Sequence, residues 1–78
     1  MSHTPHELAA EFPGHVARMH DLKDTNAHFA RLFDEYHEVN RAIHRAESRA
    51  EVVTEEHESA LRRQRLALKD QIAAMLEA

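Results

Sequence analysis

Eight histidines and fourteen acidic residues, in a chain of 78 residues, are the side chains with which this sequence could do chemistry. Neutral imidazoles and carboxylates bind zinc when several converge on one ion, which on a helix requires spacings of three or four residues. In the stretch HFARLFDEYHEVNRAIHRAE, residues 28–47, His37 and His44 lie seven positions and about 10 Å apart along a helix. His28 lies on roughly the opposite side, at about 100° of rotation per residue. These histidines cannot share an ion.

The other titratable residues do not converge either. His57 has Glu58 beside it but no further donor, and His3 and His6 have a suitable spacing only at the start of the chain. Catalysis needs such groups in a water-poor cleft, which a thin helical protein does not readily provide. A single glycine leaves no glycine-rich phosphate loop. We therefore expect histidines on a solvated helix surface, no enzyme activity, no catalytic residues, no metal, no cofactor and no small-molecule substrate.

The composition is typical of solvated helices. Charged residues make up 31% of the chain, which holds one glycine and two prolines. Cysteine is absent, which excludes disulfides and thiolate zinc sites and fits a reducing compartment. A chain this short buries only roughly 60% of its unfolded surface, so self-association is a usual way to complete its core.

Net charge and hydropathy limit the possible partners. The formal net charge of −4 disfavours nucleic-acid binding by the chain as a whole. No apolar run approaches the roughly 18 residues that span a bilayer. The start, MSHTPHELAA, lacks the basic and apolar regions of a signal peptide. We expect a cytoplasmic protein without a membrane partner.

The N-terminal third should form short helical pieces. The sequence TPHE, residues 4–7, has the form of a capping box and opens a frayed segment over residues 1–12. Pro13 ends that segment, and a short helix is predicted over residues 13–23. The sequence KDTN, residues 23–26, is rich in N-cap residues. It leaves open whether the chain bends there or the helix continues.

Two long helices are predicted, over residues 26–47 and 54–76. Apolar residues alternate spacings of three and four, as in a heptad seam. Adjacent β-branched residues favour an extended connection over residues 48–53, and Thr54 is a favourable N-cap. Arg65 occupies a seam position where an apolar residue would be expected. The first seam holds Phe29, Leu32, Tyr36, Val39, Ile43 and Ala46, and the second holds Leu61, Leu68, Ile72 and Met75.

A connection this short predicts that the long helices fold back antiparallel. With the turn centred near residue 50, position i faces roughly position 101 − i, which places Asn40 beside Leu61. The charges agree with this orientation, because acidic stretches then face basic ones. The predicted pairs join Asp34, Glu35 and Glu38 with Arg62, Arg63 and Arg65, and Arg41, Arg45 and Arg49 with Glu51, Glu55, Glu56 and Glu58.

A single hairpin leaves much of its apolar seam half covered. We expect the open face to pair with a second copy, as a dimer or tetramer, or with a helix of another protein. The alternative is a monomer whose N-terminal helix folds over that face. The predicted interaction surface consists of Phe29, Phe33, Tyr36, Leu66, Leu68 and Ile72.

The predicted fold is therefore all-α, in a single domain over residues 1–78. It is an antiparallel, coiled-coil-like helical hairpin with a short N-terminal helical segment, assembling into a helical bundle. The corresponding function is a non-enzymatic helical interaction module that self-associates or docks a partner helix.

A basic cluster offers an alternative function. Arg62, Arg63, Arg65 and Lys69 lie in the sequence LRRQRLALK and could contact phosphates. No aromatic residue is interleaved with them for base stacking, and the predicted hairpin pairs them with carboxylates. A small nucleic-acid-associated protein is thus the less favoured interpretation.

Two stretches carry a resemblance to a known family. EFPGHVARMHDLKDTNAHFARLFDEYHEVNRAI and LRRQRLALKDQIAAML resemble the YdcH family of small bacterial proteins, a family of unknown function. The resemblance runs from about Glu11 to Leu76, although Gly14 departs from the acidic residue expected after the proline. It implies a bacterial, cytoplasmic helical hairpin and brings no catalytic residues. Its most specific elements are Phe12-Pro13, Leu22-Lys23, the Phe29/Leu32-Phe33 cluster and Leu66-Ala67-Leu68-Lys69-Asp70.

Overall fold

The computed structural model describes residues 6–77, and all the regular structure within them is helical. This confirms the predicted all-α class and the hairpin of two long helices. The helices are α1 (Leu8–Glu11), α2 (Val16–Thr25), α3 (Ala27–Glu47) and α4 (Glu55–Glu77), with a 3₁₀ turn over Pro13–His15 between the first two.

Asn26 separates α2 from α3, so the chain bends at the position that the KDTN sequence left open. Its backbone is extended, with φ −132° and ψ 108°, and its side-chain oxygen accepts a hydrogen bond of 3.0 Å from the Phe29 amide. Amides in the first turn of a helix lack partners within the helix, so this contact caps α3. The bend lets α2 pack against α3.

Hydrogen bonds close both ends of the connection between α3 and α4. After α3, Arg49 has a left-handed backbone with φ 65°, and the Glu51 amide donates to the Arg45 carbonyl at 3.2 Å. A left-handed residue after the last turn is a common way to end a helix. Before α4, the Thr54 hydroxyl accepts a hydrogen bond of 3.1 Å from the His57 amide, as predicted for an N-cap.

Among residues 6–77, helix α3 supplies half of the buried apolar side chains, and the other elements cover it. Helix α4 packs along one side, and α2 packs against another. The Cα atoms extend over 37 × 28 × 17 Å, and the shortest dimension fits two helix layers whose axes lie about 8–10 Å apart. The core holds Phe29, Leu32, Tyr36, Val39 and Ile43 of α3, Leu68, Ile72 and Leu76 of α4, and Leu8 and Met19 of the N-terminal elements.

The N-terminal elements are packed where the structure describes them. Leu8 in α1 is 1% exposed, and Met19 in α2 is also buried. The prediction of a frayed segment over residues 1–12 is therefore corrected at Leu8, which is buried because the hairpin lies against it. Thr4, the N-cap of the predicted capping box, lies outside the described residues.

The register of the hairpin differs from the predicted one. Asn40 was expected beside Leu61 but accepts a hydrogen bond of 3.0 Å from Arg65, one helical turn further along α4. Asn40 is 1% exposed, and Arg65 is half-buried. Since a buried amide requires hydrogen-bond partners, this polar pair in the seam favours one alignment of the two helices.

The ion pairs differ accordingly. Arg62 pairs with Glu47 at 3.0 Å and with Glu58 at 3.3 Å. Of the pairs predicted across the connection, the one between Arg45 and Glu51 is present at 3.2 Å. Across residues 6–77, the basic residues of α4 form no ion pair with the three acidic residues of α3 that were predicted to face them, which are Asp34, Glu35 and Glu38.

Loss of the N-cap of α4 is expected to destabilise the hairpin. Thr54→Ala removes the acceptor for the His57 amide and should lower the free energy of unfolding by about 1 kcal/mol, or the melting temperature by roughly 4–8 °C. Thermal unfolding followed by circular dichroism measures the change. Thr25→Ala is the matched control, because the Thr25 hydroxyl donates to the Asp21 carbonyl and caps no helix start. Equal losses in the two variants would contradict the role of the cap.

Candidate docking surfaces

Most of the predicted interaction surface is buried within the single chain, where α3, α4 and the N-terminal elements share one core. Of its six residues, two remain accessible: Phe33 is half-buried, and Leu66 is 59% exposed. The expectation that the seam is left open is therefore corrected. The buried members of the predicted surface are Phe29, Tyr36, Leu68 and Ile72.

Tyr36 anchors the N-terminal segment, defined as residues 6–25, to the hairpin. Its hydroxyl donates a hydrogen bond of 2.6 Å to the His6 carbonyl. Burial of the phenol raises the pKa of Tyr36 to about 12, with Glu11 acting in the same direction and Arg65 opposing it. The phenol therefore stays protonated, which is the form that can donate to a carbonyl.

Two carboxylates of the N-terminal segment contact the hairpin. Oε2 of Glu7 lies 3.2 Å from Nδ1 of His37, and Oε1 of Glu11 lies 3.5 Å from Nζ of Lys69. Glu11 also accepts a hydrogen bond of 2.8 Å from His6. That bond lowers the pKa of Glu11 against the opposing effect of partial burial, and Lys69 lowers it further. The N-terminal segment is thus held by polar contacts as well as by the burial of Leu8.

Phe33 lies at the accessible edge where α2 meets α3. Nζ of Lys23 stands 4.6 Å from the centroid of its ring, and the His37 ring packs edge-on at 4.6 Å. A partly exposed cation–π contact contributes about 0.5–1 kcal/mol. His37 is half-buried in this cluster, unlike the solvated position expected for the histidines, whereas His28 and His44 are exposed.

The structure does not bring the four cations of the predicted basic cluster together. Arg62, Arg65 and Lys69 line one cavity of about 180 Å³ beside Leu66, and each already has a partner within the chain. Arg63 lines a separate cavity with two glutamates from the first turn of α4. Any anion at the first cavity would compete with these existing contacts.

A groove of about 530 Å³ lies beside α3 and is bounded by Gln64 of α4. Ala27, Ala30 and Val39 contribute apolar surface to it, and none of its lining residues belongs to the N-terminal segment. Two acidic side chains of its lining, Asp34 and Glu35, make no hydrogen bond or ion pair within the described residues.

This groove was not predicted from the sequence. The two acidic residues were expected to pair with the basic residues of α4, but the observed register leaves them facing the groove. One available signal was the spacing of Ala27, Ala30 and Asp34, which lie three and four residues apart and therefore on one flank of α3. Alanines at that spacing indicate a flank of α3 that the other elements of the chain need not bury.

Neither a metal cluster nor a membrane span occurs in the described part of the chain. Residues 6–77 contain no group of three or more histidine or acidic side chains arranged to hold a metal ion. Over the same range, no helix combines the length and the apolar content needed to cross a bilayer.

These features define a small all-α protein built on a helical hairpin. A family model described as a protein of unknown function, DUF465, matches residues 29–76, which is more than half of the chain. The chain belongs to this family. The match covers α3 and α4 from Phe29 onward, and the N-terminal segment lies outside it. Comparison with curated proteins and with solved structures finds no match.

The raised pKa of Tyr36 predicts a loss of stability at alkaline pH. Between pH 10, the usual pKa of tyrosine, and about pH 12, the unfolded state ionises while the folded state stays protonated, so stability falls as the pH rises. The full loss is about 3 kcal/mol. Because Tyr36 is the only tyrosine and tryptophan is absent, the near-ultraviolet absorbance of tyrosinate measures this titration directly.

Tyr36→Phe is the matched variant for this measurement. It should remove the part of the alkaline slope that is due to the phenol, and it should cost about 1 kcal/mol at neutral pH because the His6 carbonyl loses its donor. Titration of Tyr36 at its usual pKa in the folded wild type would contradict the buried hydrogen bond.

Proposed function

We propose that this protein is a non-enzymatic helical interaction module and that the groove beside Ala27, Ala30 and Val39 docks a helix of a partner protein. The main support is that this groove of about 530 Å³ is lined by α3 and Gln64 and is not covered by the N-terminal segment. The apolar seam, by contrast, is already occupied within the chain.

The shape of the groove supports this proposal. A docked amphipathic helix presents apolar side chains at positions i, i+3 or i+4, and i+7 along one face. The groove is shallow and open to solvent, so it can receive one face of a helix. The distance between packed helices depends on the side chains at the contact, so the short side chains of Ala27 and Ala30 allow a second helix to approach α3 closely.

The groove is lined by three carboxylates and by one cation, Arg31, so its net charge is negative and supports a basic partner. Asp34 and Glu35 are exposed and lack a partner among the described residues, and Glu38, which also lines the groove, pairs only with Arg41 of its own helix at 3.1 Å. Charges at the edge of an interface mainly raise the association rate and select the partner. A helix with lysine or arginine beside its apolar face would place positive charge against these carboxylates.

Nucleic-acid binding has less support. Three of the four cations of the basic cluster already contact groups within the chain, and Arg63 lies apart from them. Binding to phosphates would have to replace those contacts. The interaction module requires no such rearrangement.

We also infer that, within its family, the chain is of the YdcH type of small bacterial proteins and acts in the cytoplasm. The support is the resemblance over Phe12-Pro13 and Leu22-Lys23, which extends beyond the matched residues, together with the absence of cysteine.

Charge reversal in the groove tests the docking proposal. Asp34→Lys combined with Glu35→Lys should leave folding intact, because neither carboxylate has a partner within the described chain, and should weaken partner binding by roughly tenfold. Proteins captured by the wild type from extracts of the producing cells are purified, and their affinity for each variant is measured by titration.

The matched control is Asp70→Lys combined with Glu77→Lys. It makes the same change in net charge at exposed positions of α4 that do not line the groove. A partner that binds the groove variant and this control equally well would contradict docking in the groove. Failure of the wild type to bind any captured protein directly would contradict the interaction module itself.

A further inference from the structure

We propose that this chain also forms a segment-exchanged dimer, in which the N-terminal segment leaves its own hairpin and packs on the hairpin of a second copy. Asn26 is the hinge. This proposal differs from docking in the groove in both surface and partner. The surface is the hairpin face that the N-terminal segment covers, and the partner is the identical segment of a second copy.

The hinge is one residue wide. Asn26 has an extended backbone with φ −132° and ψ 108°. On both sides of it the backbone bonds are already those of a helix: the Asn26 amide donates to the Leu22 carbonyl at 2.8 Å, and the Ala30 amide donates to the Asn26 carbonyl at 3.0 Å. An α-helix has φ near −63° and ψ near −42°. Rotation about both φ and ψ of this one residue therefore suffices to join α2 and α3 into one helix.

The hydrogen bonds at the hinge do not oppose the straight form. The bent form has the Asn26 side-chain bond to the Phe29 amide. The straight form gives up that bond, but the amides of residues 27–29 gain the carbonyls four residues before them as partners. The hinge itself therefore permits the straight form, and the covering of apolar surface decides whether the chain adopts it.

That surface must be covered in either form. Straightening at Asn26 would uncover Leu8 and Met19 on one side and the Tyr36 face of α3 on the other, all of which are buried in the bent form. In the straight form α2 continues α3, but α1 has only four residues, and isolated helices shorter than about 12–15 residues are marginal in water. The segment therefore needs a hairpin to pack on.

A second copy is the occupant that matches this face. The hairpin presents the Tyr36 hydroxyl for the His6 carbonyl at 2.6 Å, and Lys69 for a carboxylate of the same segment at 3.5 Å. Another molecule of this chain carries the same groups in the same order. Exchange reproduces each contact between molecules and gives a closed, two-fold symmetric dimer, the usual result when identical elements are swapped.

Two substitutions at the hinge move the equilibrium in opposite directions. Asn26→Ala removes the cap and introduces the strongest helix former. It should favour the straight form and lower the dimer Kd by about thirtyfold, because a cap is lost at each of two hinges. Ala27→Pro places proline at the first position of α3, where the amide is not needed, and holds Asn26 in the extended region that it already occupies. This variant should be monomeric.

Light scattering coupled to size exclusion, over a range of protein concentrations, measures the molar mass of each variant and therefore its oligomeric state. Thr54→Ala is the control, because it removes a comparable N-cap from α4 without touching the hinge. We expect Asn26→Ala to be a dimer at concentrations where Thr54→Ala and Ala27→Pro are monomers. A monomeric Asn26→Ala chain, or an Ala27→Pro chain that dimerises as readily as Asn26→Ala, would overturn it.

A cross-link distinguishes exchange from other dimers. The chain has no cysteine, so Glu7→Cys in one Asn26→Ala chain and His37→Cys in another can join only between molecules. Those side chains touch at 3.2 Å within the bent chain. Because shorter cysteine side chains need not meet there, a short bis-maleimide is used to join the thiols, and exchange predicts a cross-linked heterodimer when the two chains are mixed with it. Arg63→Cys in place of His37→Cys is the control and should give none. Equal linkage in both mixtures, or a dimer that links in neither, would overturn the exchange and leave the groove proposal untouched.

Discussion

The apolar side of α3 is too wide for a single partner helix to cover, and the packing of the other elements follows from this. Phe29, Leu32, Tyr36, Val39 and Ile43 all lie on it and are all buried. Helix α4 covers part of this surface, and the N-terminal segment covers another part. In a chain that buries only roughly 60% of its unfolded surface, removal of either cover would expose large apolar side chains, each of which contributes about 1.5–3 kcal/mol when buried.

Polar contacts determine where each cover lies. Between α3 and α4, the buried Asn40 accepts from Arg65, and a displaced register would leave the amide without a partner. Between α3 and the N-terminal segment, the Tyr36 hydroxyl donates to the His6 carbonyl. Apolar packing tolerates sliding more readily than these hydrogen bonds do. The groove on the flank of α3 beside Ala30 is not lined by the N-terminal segment, so it remains open to the partner helix that we propose.

The sequence predicted the features that depend on residues close together in the chain. The heptad spacing predicted both long helices, and the N-cap residue Thr54 predicted the start of α4, because capping and periodicity act over a few residues. The register was wrong because it rested on an assumed turn centre, although Arg65 in an apolar seam already indicated a buried polar partner such as Asn40. From the sequence, the packing of the N-terminal helix over Tyr36 is one of two alternatives, because no short-range pattern shows which surface Leu8 contacts. The groove was missed for a related reason: alanine spacing gives a weak pattern, and its acidic residues had been assigned to other partners.

The N-terminal segment, and not only α4, covers the apolar side of α3. Nuclear Overhauser contacts of the Tyr36 ring in the wild-type monomer test this packing, because Tyr36 is the only tyrosine in the chain. We expect cross-peaks from the ring to protons of His6 and its neighbours, because the Tyr36 hydroxyl donates to the His6 carbonyl. Cross-peaks confined to α3 and α4, with the ring accessible to solvent, would contradict it.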